Sequence, residues 1–417
     1  MGPKKTVQNQ VAKNSPQPFY RTIGFFVYLG QIFGLFPVHG CHGPSASDLK
    51  FSWTSVVTFY CILNSCITLL LGLLYFLENF RVGFDFWDYM LSVWFYGVTG
   101  TMMILFLKLA FHWPSLMKKW ELVDNSMVSY GYMPYLNFRL KLLTTVLFVT
   151  ALVETLLSKS IHLIQSYKCR REEIEGIFEY LMTTVLYKPV FIYTEYSTWK
   201  GVLLMIFNTT STFAWSYGDV FVMIIGIGLA LRFRQISRRL RLFLREKISD
   251  IDRWREIRED YQRLAILTKT VDNAIGNITC LCFASNLTFI IIQLFNSLRF
   301  RKDLIDKFYF FFSFAFLIAR TFCVCLYAAW INDESREPIY ILADVSSECF
   351  NVEVSRFVDQ LRYDNITLSG KNLFYVKRGL ILSMASAVVT YELIFLQLNA
   401  HVLEESNEIA NFNMSTC

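Results

Sequence analysis

The sequence predicts an all-α polytopic membrane protein with seven transmembrane helices, a cytoplasmic N-terminus, an extracellular C-terminus and an intracellular helical anchor domain. Three observations predict it. Of the 417 residues, 54% are hydrophobic and 17% aromatic, too apolar for a chain with an ordinary soluble surface. Seven stretches are long and apolar enough to cross a bilayer. Lys and Arg are shared unevenly between the segments that join them.

The spans run Val56–Leu77, Tyr89–Leu107, Leu142–Ser158, Gly201–Leu231, Ala274–Leu298, Phe308–Ile331 and Gly379–Ala400. An odd number puts the termini on opposite sides. With the N-terminus inside, 28 of the 40 Lys and Arg fall in cytoplasmic segments and 11 in extracellular ones, Arg320 lying within a span. The positive-inside rule therefore selects this orientation. A G-protein-coupled receptor has the reverse orientation, and the chain lacks both D/E-R-Y after span three and N-P-x-x-Y in span seven. Among the sequons, Asn208, Asn277 and Asn286 fall inside spans and Asn365 is cytoplasmic, leaving Asn413 as the one site exposed to the lumen. The chain divides into 1–52, a cytoplasmic N-terminus with a short pre-membrane helix; 53–231, spans one to four; 232–268, cytoplasmic extensions of spans four and five; 269–332, spans five and six; 333–369, a cytoplasmic anchor helix; 370–401, the last helix; and 402–417, an extracellular tail.

Lys4, Lys5, Lys13 and Arg21 precede an apolar run from Ile23 to Val38. It starts late and holds Gly, Gln and Pro, which favours an interfacial helix over a signal peptide. His39, Cys41 and His42 sit in a Gly/Pro loop without a second ligand pair, so they read as loop residues rather than a metal site. The ten Cys are dispersed. The pairs Cys280/Cys282 and Cys323/Cys325 lie in apolar helices, where residues two apart point to different faces, and only Cys169 and Cys417 fall outside the cell. No paired carboxylates, His cluster or nucleophile motif suggests an enzyme, and no cofactor, metal or nucleic-acid partner is implied.

Between spans four and five, Phe233, Ile236, Leu240, Phe243, Ile248, Ile251, Ile257, Tyr261 and Leu264 recur at helical spacing among charges, so both spans should continue as amphipathic helices beyond the membrane. Within this stretch Arg238, Arg239 and Arg241 either anchor the topology or meet anionic headgroups. Glu334–Ser369 is similarly mixed, and Gly370 breaks its pattern. These pieces should pack as one intracellular bundle.

The last span carries Ser383, Ser386, Thr390, Gln397 and His401 along one helical face, the other faces being Leu, Ile, Val and Phe. Such a stripe belongs against water or another polar helix. An amide near the end of a span suits a polar ring around an ion path, and one such helix per chain cannot enclose a pore, which implies a symmetric oligomer. Besides Glu392, the ionisable residues inside spans are Glu154, Asp219 and Arg320; Arg320 should pair with Glu154 or Asp219. The outer ends of spans two to six bring together Asp88, Tyr89, Trp94, His162, Glu195, Tyr196, Trp199, Gln293 and Tyr309. With Glu154 below them, carboxylates and amides can bond the hydroxyls of a polyol while an aromatic ring covers its C–H face.

Thr390 and Tyr391, five further residues and then Gln397 resemble the TY-x5-Q signature that closes the last helix of insect gustatory receptors, with Leu398 where members usually place Phe. Thr212–Ser237 is similar to the fourth-helix signature of the sugar-receptor branch, through Trp215, Asp219, Phe221 and the run Arg232-Phe233-Arg234-Gln235. GLFPVHG (Gly34–Gly40), FSWTS (Phe51–Ser55) and Leu368-Ser369-Gly370 through Tyr375 and Arg378 match too, while Lys377 replaces a usual Thr and Met-Ala-Ser the usual Ala-Gly. The resemblance implies a sweet-taste receptor of the plasma membrane, acting as a sugar-gated, non-selective cation channel. It implies a homotetramer, or a heteromer with related subunits, whose last helices surround a central pore. Gln397 and Leu398 would form its narrow part, with Thr390, Leu393 and His401 along the same helix. The lower ends of helices four to seven would form the anchor. Sugar, monovalent and divalent cations and the bilayer are the partners implied. A polyol transporter built on Glu154, Asp219 and Arg320, or a seven-helix metabotropic receptor, are the alternatives.

Overall fold

The computed structural model describes residues 18–41, 43–82, 86–130, 136–169, 176–297 and 304–412. Among them the regular structure is helical, apart from two isolated bridges, His39 with Lys50 and Ser369 with Tyr375. The principal helices are α1 (Gly24–Ile32), α2 (Val56–Val82), α3 (Phe86–Ser126), α4 (Leu136–Cys169), α5 (Thr198–Arg245), α6 (Ile251–Ser297), α7 (Leu304–Ala343), α8 (Val352–Tyr363) and α9 (Gly379–Phe412). Six of these, α2 to α7, are long and apolar enough to cross a membrane. The shorter stretch Gly379–Ile394 is the apolar part of α9 whose side chains are described.

α5, α6 and α7 run on as helix well past their apolar stretches, as the charge-flanked periodicity requires of spans four and five. At about 1.5 Å per residue the 48-residue α5 is roughly 70 Å long, more than twice a hydrocarbon core of about 30 Å. The end of α5 is marked by Lys247 in the left-handed region, φ 50°. α8 begins where the Asn351 side chain accepts from the backbone of Glu353 (3.0 Å) and Val354 (3.1 Å).

α5 runs through the middle. In its most apolar stretch 89% of residues are buried, against 17% in α4. It packs most closely on α7, where a Cβ placed on Gly226 would lie 2.4 Å from the Tyr327 carbonyl oxygen, so only glycine permits this approach. The main core lies around the inner half of α5, where Phe221, Phe233, Trp113, Trp120, Tyr261 and Phe357 are fully buried. A smaller outer cluster places Tyr187, Leu181 and Met182, from the segment before α5, over Tyr75 and Tyr96.

The segment expected to lie along the membrane interface instead contributes one face to the core. Phe26 stacks on Tyr217 at 4.1 Å, and the Tyr217 hydroxyl donates to the Phe26 carbonyl (3.2 Å). The helix stops at Ile32, not Val38. Gly34, at φ 71°, turns the chain inward and its amide bonds Gln31 (3.2 Å). Phe36, itself left-handed at φ 54°, is then driven between Phe106, Trp113 and Phe221. Only Phe25, Tyr28 and Ile32 remain on the outer face, because burying the inner aromatic rings gains more than leaving them at the headgroups.

α8 packs on the N-terminal half of α6 and the C-terminal half of α7. Arg258 (2.8 Å) and Arg356 (3.0 Å) converge on the Glu353 carboxylate, with Arg255 at 3.8 Å. The hydrogen bond from Arg258 holds that carboxyl below the ordinary glutamate range. Tyr261 donates to the Ser335 carbonyl (3.0 Å), and Asn332 to that of Ile366 (3.1 Å). Tyr130 donates to Asp260 (2.7 Å); burial, reinforced by that carboxylate, pushes the phenol's pKa upward. The basic run beside them is largely occupied by protein: Arg241 pairs with Glu337, and Arg239 lies over the Tyr130 ring at 5.6 Å.

Candidate functional site

Two polar features interrupt the apolar spans. One is a buried column between α4, α5, α6 and α7. The other is the open face of α9.

The column is built from residues at helical intervals. Glu154, Ser158 and His162 follow at steps of four on α4, Asn286 and Gln293 are seven apart on α6, and Tyr309, Ser313 and Arg320 are four and seven apart on α7. At its inner end the fully buried Asp219 meets Arg320 at 3.0 Å, settling which carboxylate the arginine takes. Asn286 donates to both Asp219 oxygens (3.0 and 3.1 Å), and Arg320 donates to Ser216 (3.0 Å). The guanidinium also lies 4.2 Å from the centre of the Trp215 ring. Such a pair recovers its desolvation cost only when its remaining lone pairs and protons are satisfied, and these neighbours do that.

Above it, Ser313 donates to Glu154 and receives the Gln293 amide at 3.2 Å. The Tyr309 hydroxyl is held by Ser158 and Ser313. Among the described residues, the buried Gln293 Oε1, Asn286 Oδ1 and Trp215 Nε1 of this region have no hydrogen-bond partner. Orphaned buried groups of this kind ask for an unseen partner.

The expected ligand-contacting residues therefore separate. Glu154, Gln293 and Tyr309 come together, and His162 stands two turns from Glu154 on the same side of α4. Trp94 belongs instead to a mainly apolar groove of about 590 Å³ between α3 and α6. Trp199 is exposed beside Lys200, and Glu195 is exposed, its carbonyl accepting from Lys200 (2.9 Å); both are apart from the column because they precede or open α5 at its outer tip. Tyr196 packs on Phe191 in the outer cluster. Asp88 and Tyr89 are in the first turn of α3, their side chains outside the described residues. Ser313, Asn286 and Ser216 are not among the site residues expected from sequence, where Asn286 reads only as a sequon within a span. Their shared helical faces with Gln293, Arg320 and Asp219 carried the signal.

On α9 the order is reversed. Ser383, Ser386, Thr390 and Gln397 are all exposed on the single chain, and so are Leu382, Tyr391 and Leu393. Thr390 donates back to the Ser386 carbonyl (2.8 Å), which satisfies the hydroxyl without a neighbour. Leu398 and His401 continue the helix with side chains outside the described residues, where Asn413 and Cys417 also lie. The helix is tethered at its base: Arg378 pairs with Asp333 of α7 (2.7 Å), and Asp272 of α6 accepts from the Ser369 amide (2.6 Å) and hydroxyl (2.8 Å).

With this geometry in place, likeness to known proteins decides the family. A model described as the trehalose receptor matches residues 4–406. The chain belongs to the trehalose receptor family. Among its relatives, the Drosophila melanogaster gustatory receptor for sugar taste 64f is 32% identical, the match covering 95% of this chain and 84% of the relative. Gustatory receptor 5a for trehalose, from the same fly, is also 32% identical, covering 95% and 88%. These relatives are receptors, not enzymes. The fold is that of the olfactory receptor OR5 of Machilis hrabei, solved with and without eugenol: for the eugenol complex the TM-score is 0.67 at 12% identity, covering 91% of this chain and 98% of the other. Family and helices together make this a multi-pass membrane protein.

Proposed function

We propose that this trehalose-receptor-family protein is a sugar-gated, non-selective cation channel of the plasma membrane. Four copies, or copies together with related subunits, place α9 around one axis, with the N-terminus cytoplasmic and α9 as the seventh span. The observation that carries the pore is the exposure of the Ser383, Ser386, Thr390 and Gln397 stripe on a helix that its own chain leaves largely uncovered. Gln397 and Leu398 form the constriction, and the inner ends of α5 to α7 with α8 form the anchor between copies.

Sugar binds within each chain along the polar column, between the Asp219–Arg320 pair and Gln293. Its hydroxyls donate to Gln293 Oε1 and accept from Trp215 Nε1, the atoms left orphaned there, while Glu154 turns from Ser313 to the ligand. Binding favours the open arrangement because α6 and α7 line the column and also pack on α9. The test is whole-cell recording from cells expressing this chain, alone and with related receptor subunits, during application of mono- and disaccharides. Sugar-evoked cation current is expected within milliseconds. Replacing Gln293 by Leu should weaken the response to sugar and leave ion permeability ratios unchanged, and replacing Gln397 by Glu should do the opposite. A current whose permeability ratios ignore every change at Gln397 rules out the pore assignment.

A further inference from the structure

A second polar cavity, of about 360 Å³, opens between α3 and α6 where their apolar stretches end. One wall is Lys108, His112 and Lys119, at steps of four and seven along α3. The other is Asn273 and Asn277 on α6, and Lys371 from the turn that leads into α9 closes the base. Lys108 and Lys119 make no ion pair among the described residues. A neighbouring carboxylate, Asp272, interacts with Lys371 and is already engaged by the amide and hydroxyl of Ser369. Lys371 is fixed in place: it and Asn372 are both left-handed, at φ 55° and 62°, and its backbone packs on Gly276.

Three ammonium groups and two amides around one cavity, short of counter-charge, make a polyanion site. Its depth narrows the ligand. Lys108 directly follows the expected end of span two and Asn273 directly precedes span five, so the cavity sits at the headgroup layer, where basic pockets between helices take phosphorylated lipid heads. By contrast, the arginine run near the end of α5 is mostly engaged by protein.

We propose that this cavity binds a phosphomonoester-bearing inositol headgroup, bridging α3 and α6 to the turn before α9. Lys108 and Lys119 hold the phosphates as point charges, the Asn273 and Asn277 amides meet ring hydroxyls, and Lys371 brings the base of α9 into the site. The leaflet, cytoplasmic, rests on the orientation proposed above; binding itself does not.

The experiment uses the full chain in phosphatidylcholine nanodiscs, with and without a few mole per cent of phosphatidylinositol bisphosphate, and counts bound lipid by native mass spectrometry. Binding is expected to weaken at least tenfold in K108Q/K119Q and in K371Q, and to be unchanged in R238Q, which neutralises an exposed arginine elsewhere. Because K371Q lies on a different element, it decides the matter if the α3 variant is lost to misfolding; a K108R/K119R variant should restore binding. Competition by soluble inositol trisphosphate at matched concentration assigns a free ligand, and competition by the lipid alone assigns the membrane. Equal binding by wild type, K108Q/K119Q and K371Q overturns the site. No current is measured, so failure here leaves the channel reading standing, and a failed channel leaves this result readable.

Discussion

α5 and α9 are both apolar helices, yet the most apolar stretch of one is buried within its own chain and the other is mostly uncovered. Each carries polar residues in an apolar setting, and their partners differ. On α5, Asp219 and Ser216 are bonded by side chains of α6 and α7. On α9, the hydroxyls of Ser383 and Thr390 donate to their own helix (3.3 and 2.8 Å) and Gln397 faces out. Polarity answered inside the chain is scaffold. Polarity left on the outside is a request for other copies or for water.

Removing Asp219 tests this contrast hardest. Asp219→Ala strands a buried guanidinium, with an expected loss of about 3–5 kcal/mol, read as a collapse in folded yield and thermal midpoint. Replacing Asp219 by Leu and Arg320 by Met together should recover most of that loss, because no charge is then left alone. Next comes Gly226→Val, which pushes α5 off the Tyr327 backbone and should cost about 1–3 kcal/mol in thermal unfolding.

A smaller effect is expected at Glu353. Its carboxyl titrates lower folded than unfolded, so its contribution is full above the ordinary glutamate value and is lost as pH falls through the depressed one. Wild type should therefore lose more thermal stability than Glu353→Gln as pH falls below the ordinary glutamate range, read as a difference in the pH dependence of their unfolding midpoints. Smallest of all is Gln397→Glu, expected to change stability by less than about 0.5 kcal/mol while altering permeability ratios. If Gln397→Glu destabilised the chain as Asp219→Ala does, the distinction between the two helices would not hold.

Much of this was legible in the sequence. Runs of apolar residues located the crossing helices, and the cost of charge in lipid required Arg320 to find Asp219 or Glu154. Periodicity also foresaw that α5 and α6 continue as helix beyond their apolar stretches. Depth within the bundle was not legible, because a helix facing lipid and a helix facing protein are equally apolar. Hence nothing distinguished α5 as central, and the burial of Phe26 and Phe36 was missed. Asn286 read only as a sequon in a span, although its true place is on Asp219. Glu195 and Trp199 were grouped with Glu154 by membrane side alone, which places residues at a level but not around the axis.

The Arg378–Asp333 pair has a mechanical consequence. It pins the foot of α9 to α7, while Gln397 stands 18 residues above Gly379, roughly 27 Å at about 1.5 Å per residue. A lean of about 5° about that pivot carries Gln397 sideways by roughly 2 Å, close to the radius of a water molecule. In the channel proposed above, a foot anchored at this point turns slight tilting of α9 into a change of bore at Gln397, with the pivot far from the constriction.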